Sequence, residues 1–356
     1  AIGLVPPNPN KRLLEPSKVF KGKAADLGLY DETPASTEEL IDFAKKAEAA
    51  ALALDGVNKT RATQIEKKDF FLLMLATNGL DICEKSTTYS ASILAVAEKN
   101  GEMQIAYDYA TARRFADLGN PESMGANAAN DALSKLSPGL PETGAMPIVL
   151  SPDAAEEFFS SVYEALNGDA VYEETTFWKD KIGQQVMSRG VTLVDDPTIE
   201  KGISSGQIDS SGMEMKKITF IEDGVLKAFN MTLMQARQLG ASPIGRNDGA
   251  TNGIVLPGTK TPEDLIKDIA DGIYIKGFKG GATDVNTGAY SCPAEGFLIK
   301  NGKITAQAVD GFVVSGNLKE MFMRVSLAND TPKMPDTKHS LSAPTTRIDN
   351  VMIAGK

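Results

Sequence analysis

Hydrophobic positions along the chain change period several times, and each change predicts an element. Residues 1–33 are polar and rich in Pro, Lys and Asp, and they read as a connector. From position 36 the pattern turns helical. Ser36 or Thr37 can cap a helix, Glu38 and Glu39 suit the positive end of its dipole, and LIDFAKKAEAAALAL consists of strong helix formers up to Asp55-Gly56. Three runs of strand character follow: DFFLLMLAT before Asn78-Gly79, TTYSASILAVAEK before Asn100-Gly101, and EMQIAYDYATARRF. Asn-Gly between alternating runs is a strong hairpin signal, so these runs predict an antiparallel meander. NPESMGANAANDALSKL then predicts a closing helix, capped at Asn120 with Pro121 in its first turn.

The Pro- and Gly-rich stretch at 137–147 marks a soft boundary, dividing the chain into 1–143 and 144–356. The second part begins with a strand, PIVLS, and a helix with Ser151 as cap, Pro152 first and Asn167-Gly168 as exit. GVTLVDDPT reads as a strand ending in a turn. Hairpins are predicted around Asp223-Gly224 and Asn301-Gly302, and their likeness follows from shared turn chemistry. TLMQARQLG, TPEDLIKDIADG and GNLKEMFMRVSL read as helical, and GIYIKGF and TRIDNVMIAGK as strands. Without strict βαβ alternation the class is α+β: a partial N-terminal antiparallel β-meander with flanking helices, then a mixed β-rich C-terminal domain with helices.

Composition narrows the function. A formal net charge of −10 argues against a nucleic-acid partner, which needs clustered Lys and Arg. Two cysteines, Cys83 and Cys292, cannot build a disulfide framework. No apolar run approaches the ~20 residues of a membrane span, and no basic region followed by an apolar one opens the chain. The expectation is a cytoplasmic protein with no membrane partner.

Candidate chemistry is sparse. The single histidine, His339, sits in a Pro/Ser/Thr-rich loop with no second His or nearby Cys to complete a metal site. Cys292, among turn residues, has only that histidine as a conceivable base, and reads as an inert thiol. Cys83, flanked by Asp81 and Glu84, reads as packing. Asp195-Asp196 before Pro197 reads as a turn start, with metal or acid–base work as the alternative. Glu156, Glu157 and Glu164 read as a wet helix face. The glycine-rich segment 277–291 lacks the helix start that would place amides around a phosphate, so no nucleotide is expected.

Several segments in fixed order resemble the TldD/PmbA family: FWKDKIGQ, VTLVDDP, IEDGVLK, ARQLG and GNLKEMF, with GEMQIAYDYATAR and ADLGNPESMGANAANDAL before them. The likeness runs from about residue 24 to the end. It implies a metallopeptidase system of two related subunits acting on unfolded peptides, and it carries the family's label as a modulator of DNA gyrase. The TldD-type subunit holds a zinc-type metal through His-Glu-x-x-x-His (or a final Asp) on a helix. Matched through TTFW, that motif falls on Phe159 for the first ligand, Ser160 for the catalytic Glu and Glu164 for the last ligand. At least three ligands and a base are needed. The resemblance therefore implies a PmbA/TldE-type subunit with no catalytic residue, no metal and no cofactor of its own. Its partners would be a TldD-like subunit, unfolded peptide and, when alone, a second copy of itself. The alternatives are an autonomous peptidase using Cys292 or a carboxylate-bound metal, and a structural or regulatory homo-oligomer. Family members begin with a further helix-and-strand segment. Its absence before Ala1 predicts a truncated chain with an exposed edge on the meander.

Overall fold

The computed structural model describes residues 8–22, 25–331, 334 and 341–356. Its fold is α+β. The N-terminal part holds helix α1 (Thr37–Leu52), strands β1 (Val57–Leu75), β2 (Asp81–Lys99) and β3 (Glu102–Ala112), and helix α2 (Pro121–Ser134). Ser36 closes α1 reciprocally: its hydroxyl accepts from the Glu39 amide at 3.2 Å, and the Glu39 carboxylate accepts from the Ser36 amide at 2.7 Å. Asn120 caps α2 as the sequence predicts, accepting from the Ser123 amide at 2.7 Å. The strands form an antiparallel sheet in the order β1-β2-β3. Both helices lie on one face, where Phe43, Ala47, Tyr89, Ile93, Ala128 and Ala132 share a core.

β1 starts twelve residues before the first predicted run. Residues 57–68, VNKTRATQIEKK, are mostly polar and give no hydrophobic alternation. They are strand because β2 pairs with them, from Val57 opposite Ala97 to Leu75 opposite Asp81. The β2–β3 turn, Asn100-Gly101, has positive φ at both residues (54° and 81°), the two-residue geometry Asn-Gly favours. The β1–β2 connection is longer, closed by the Ala76 amide donating to the Leu80 carbonyl at 3.0 Å.

The C-terminal part runs β4 (Gly144–Leu150), α3 (Pro152–Leu166), α4 (Gly168–Tyr172), β5 (Leu193–Asp195), β6 (Ile218–Glu222), β7 (Val225–Leu226), α5 (Leu233–Gln238), β8 (Gly253–Val255), α6 (Pro262–Ile266), β9 (Asp271–Phe278), β10 (Ala282–Thr283), β11 (Ala289–Lys300), β12 (Lys303–Asn317), α7 (Leu318–Phe322), β13 (Val325–Leu327), β14 (Leu341–Ser342) and β15 (Thr346–Ala354). β9, β11, β12, β15 and β4 pair successively, and β4 pairs back onto β9 in parallel, so five strands close a ring. A second sheet has the order β14-β8-β5-β6-β7. Residues of both sheets and of α3 share the main core, with Phe158, Phe159 and Val162 beside Ile148, Phe220, Ile273 and Phe312.

Three local readings change. The helix predicted over 316–327 stops at Phe322, because Val325–Leu327 pairs with β15. The helix after Thr261 ends at Ile266, and β9 opens at Asp271. β11 begins at Ala289, so Cys292 lies in a strand rather than among turns. In each case pairing with a distant strand overrides local propensity.

The two parts are tied together by Arg113. It is buried and donates to the Thr87 carbonyl and Thr88 hydroxyl (both 3.1 Å) and to the carbonyls of Gly202 and Ile203 across the junction. A small cluster of Leu14, Val19, Leu80, Ile82 and Leu233 joins the base of the β1–β2 turn to the C-terminal part.

Candidate functional site

Helix α3 carries the three positions the sequence singled out. Ser151 caps it, its hydroxyl accepting from the Ala154 amide at 3.2 Å and donating to the Lys276 carbonyl at 3.0 Å. Phe159 is buried and packs edge-on against Phe158, with ring centroids 5.4 Å apart. Phe158 in turn meets Phe322 at 5.3 Å and Tyr290 at 5.8 Å. Ser160 is exposed, and its hydroxyl donates to the Glu157 carbonyl of its own helix at 2.7 Å. Glu164 is on the exposed side, where nearby protein desolvates its carboxyl and raises its pKa. Five residues separate Phe159 from Glu164, roughly 140° around a helix, so one points into the core and the other away from it. A zinc-type ion does not fit this set: a hydrocarbon ring fills the first place and a backbone-bonded hydroxyl the second. Among the described residues no three His, Cys, Asp or Glu side chains group to hold a metal ion.

The other candidates are equally quiet. Asp195 is fully buried against Arg246. Its carboxylate accepts from Arg246 Nε (2.7 Å), the Thr251 hydroxyl (2.7 Å) and amide (2.8 Å), and the Tyr163 hydroxyl (3.3 Å). Every oxygen is engaged, so this pair anchors α3 to β5 instead of facing a substrate. Asp196 does start the turn, accepting from the Thr198 amide at 3.0 Å and hydroxyl at 2.7 Å. Cys292 is buried, and desolvation pushes its thiol pKa up, away from thiolate. Cys83 is exposed, not packed: it faces outward on β2 opposite Leu73 of β1. Glu156 is buried, against the expectation of a wet face, while Glu157 is half-buried. His339 lies outside the described residues.

A cleft of about 720 Å³ lies between the N-terminal sheet and the C-terminal ring. β3 forms one wall, with Ile105, Tyr107 and Tyr109, and α2 a second. The first turns of α3 (Asp153, Glu157) and strands β9 and β11 form the floor. Its base is an ion network. Lys135 reaches Glu295 at 2.7 Å and Asp131 at 3.0 Å, Lys279 reaches Glu295 at 3.0 Å and Asp310 at 2.7 Å, and Lys276 approaches Asp131 at 3.8 Å. Burial opposes the charge on Lys135, but Glu295 and Asp131 outweigh it and raise its pKa. These partners are remote in sequence, and sequence reasoning found none of them. The only local signal was the Asp131–Lys135 spacing on one helix face.

Two features suit this cleft to an extended chain. β3 is an edge strand, hydrogen-bonded to β2 alone among the described strands. Its outward face carries Ile105 and Tyr107, 42% and 50% exposed. An edge offers backbone donors and acceptors, and alternate side chains offer apolar contact.

Comparison with known proteins agrees with this architecture. Family models for the PmbA/TldA metallopeptidase central domain and C-terminal domain match residues 30–136 and 143–355. The chain belongs to the PmbA/TldD family. It is 30% identical over 335 residues to the metalloprotease PmbA of Escherichia coli O157:H7, covering 94% of this chain and 73% of that protein. A Bacteroides thetaiotaomicron structure, named for modulation of DNA gyrase, superposes with a TM-score of 0.90 at 27% identity over 99% of this chain and 80% of its own. TldE of Thermococcus kodakarensis shares the fold, with a TM-score of 0.81 at 22% identity over 99% and 82% of the two chains. No helix among the described residues is long and apolar enough to cross a membrane.

Proposed function

We propose that this chain is the PmbA/TldE-type, non-metal-binding subunit of a two-component cytoplasmic metallopeptidase. A TldD-like partner supplies the zinc-type metal and the hydrolytic chemistry, and this chain contributes to holding unfolded peptide. The observation that carries the reading is the state of α3. Phe159, which the resemblance matches to a first metal ligand, is a core residue, and Ser160, matched to the catalytic carboxylate, bonds its own helix backbone.

On this reading the cleft is the peptide-holding element. An extended substrate adds to the free edge of β3, its alternate side chains resting on Ile105 and Tyr107. The test is to mix the chain with a TldD-like subunit and follow cleavage of an unfolded peptide, with and without Ile105→Pro. Proline removes an edge donor and stiffens the strand. Cleavage that needs both subunits and falls with the proline variant supports the reading. Cleavage unaffected by adding this chain contradicts it.

A further inference from the structure

The walls of the cleft carry unequal charge. Five carboxylates line it, on Asp108, Asp131, Asp153, Glu157 and Glu295, against three ammoniums, on Lys135, Lys276 and Lys279. Each ammonium already faces acid. Lys135 lies between Glu295 and Asp131, Lys279 lies between Glu295 and Asp310, and Lys276 is 3.8 Å from Asp131. The groove continues along β3 and α2 past Tyr109 to Thr111 and Asn120, and the described residues lining that stretch include no Lys, Arg or His. The positive charge of the walls is thus neutralised where it stands, and the remaining field is negative. The whole chain, at a formal −10, adds to that field with the same sign.

The two faces of β3 also differ, since successive side chains of a strand point to opposite sides. Ile105 and Tyr107 are on the exposed face, and the rings of Tyr107 and Tyr109 are 6.0 Å apart, centroid to centroid. On the other face Ala106 is buried in the core shared with α2, and Asp108 accepts from the Asn127 side chain of α2 at 3.1 Å. A strand added to this edge therefore sets one alternate row of side chains beside apolar and aromatic groups and the other row beside acids.

We infer that the occupant this cleft selects is an extended cationic segment in which apolar residues alternate with Lys or Arg. The inference rests on the reading of the cleft as the peptide-holding element and adds its specificity. The apolar row rests on Ile105 and Tyr107, where covering hydrocarbon stabilises the complex. The basic row lies over Asp108 and toward the acids of the floor, where charge complementarity speeds encounter and fixes register. A segment with Asp or Glu in that row meets like charge and is rejected.

The test measures fluorescence anisotropy of short labelled peptides with the full chain. One peptide alternates Leu with Lys, a second alternates Leu with Glu, and a third holds the residues of the first in two blocks. The alternating Lys peptide should bind about tenfold tighter than either of the others at about 50 mM salt. Its advantage over the Glu peptide should shrink to about threefold or less at about 500 mM salt, where charges are screened within a few ångströms. Asp108→Asn/Asp153→Asn should lower that advantage about threefold at low salt, and the three wild-type arms decide the matter even if this variant folds poorly. Equal binding of the Lys and Glu peptides, or tighter binding of the Glu peptide, would overturn the inference and leave the peptide-holding reading standing. Equal binding of the alternating and block Lys peptides would also overturn it, as attraction by net charge alone. Binding of none of the three would overturn the inference and the peptide-holding reading together.

Discussion

Helix α3 divides two surroundings. Toward Phe158 and Phe159 it is sealed among aromatic rings, and its far end is fixed by Tyr163 on the buried Asp195–Arg246 pair. Toward Asp153 and Glu157 it lines an open cleft walled by a free strand edge and floored by paired charges. The first surrounding has the traits of a core: low exposure, apolar contacts, and a buried Asp195 carboxylate with both oxygens engaged. The second has the traits of a binding surface, concave and mixed in character. On the proposed reading, holding a ligand and transforming it are separable, with α3 lining the cleft by its first turns and packing into the core elsewhere.

The sharpest way to break the sealed side is Arg246→Met. It strands the Asp195 carboxylate in the core and should cost about 3–5 kcal/mol in urea unfolding. Phe159→Ala should cost a similar or somewhat smaller amount, about 3 kcal/mol, through the cavity it leaves. Restoring motif letters with Phe159→His and Ser160→Glu should also destabilise the chain without giving it stoichiometric zinc, because the histidine would point into the core. Metal analysis after dialysis checks this, and one bound zinc per chain would show that the sealed side is still a latent site.

On the open side the effects are smaller. Lys135→Met removes the hub joining α2 to β11 and should cost about 1–2 kcal/mol. The pH dependence has a fixed sign. The acids around Lys135 and Lys279 raise both above their ordinary value of 10.5. The stability they add is full below that value and is lost as pH rises through the raised one. Wild type should therefore lose more stability than Lys135→Met when pH rises above about 10.5, as thermal melts would record. Ser160→Ala closes the series. It should change stability by no more than about 0.5 kcal/mol and leave partner-dependent cleavage unchanged, since the hydroxyl serves only its own helix.

Much of this was legible in the sequence for identifiable reasons. Caps at Ser36, Asn120 and Ser151, and turns at Asn100-Gly101, Asp223-Gly224 and Asn301-Gly302, are written in residues with local backbone preferences. The polar first half of β1, the strand that follows α7 and the early start of β11 were not, because each depends on a partner strand far along the chain. Sequence reasoning likewise weighed Asp195 as a turn residue or catalytic acid. It missed the buried Arg246, fifty-one positions away, that makes it a structural anchor. The cleft was invisible for the same reason: Lys135, Lys279, Glu295 and Asp310 become neighbours only when two sheets meet.

The most direct test of the division of labour is hydrolysis of an unfolded peptide by the purified chain, by a TldD-like subunit and by their mixture, each with and without chelator. The account predicts no turnover by this chain alone and chelator-sensitive turnover in the mixture above that of the partner. Chelator-sensitive cleavage by the isolated chain would contradict it.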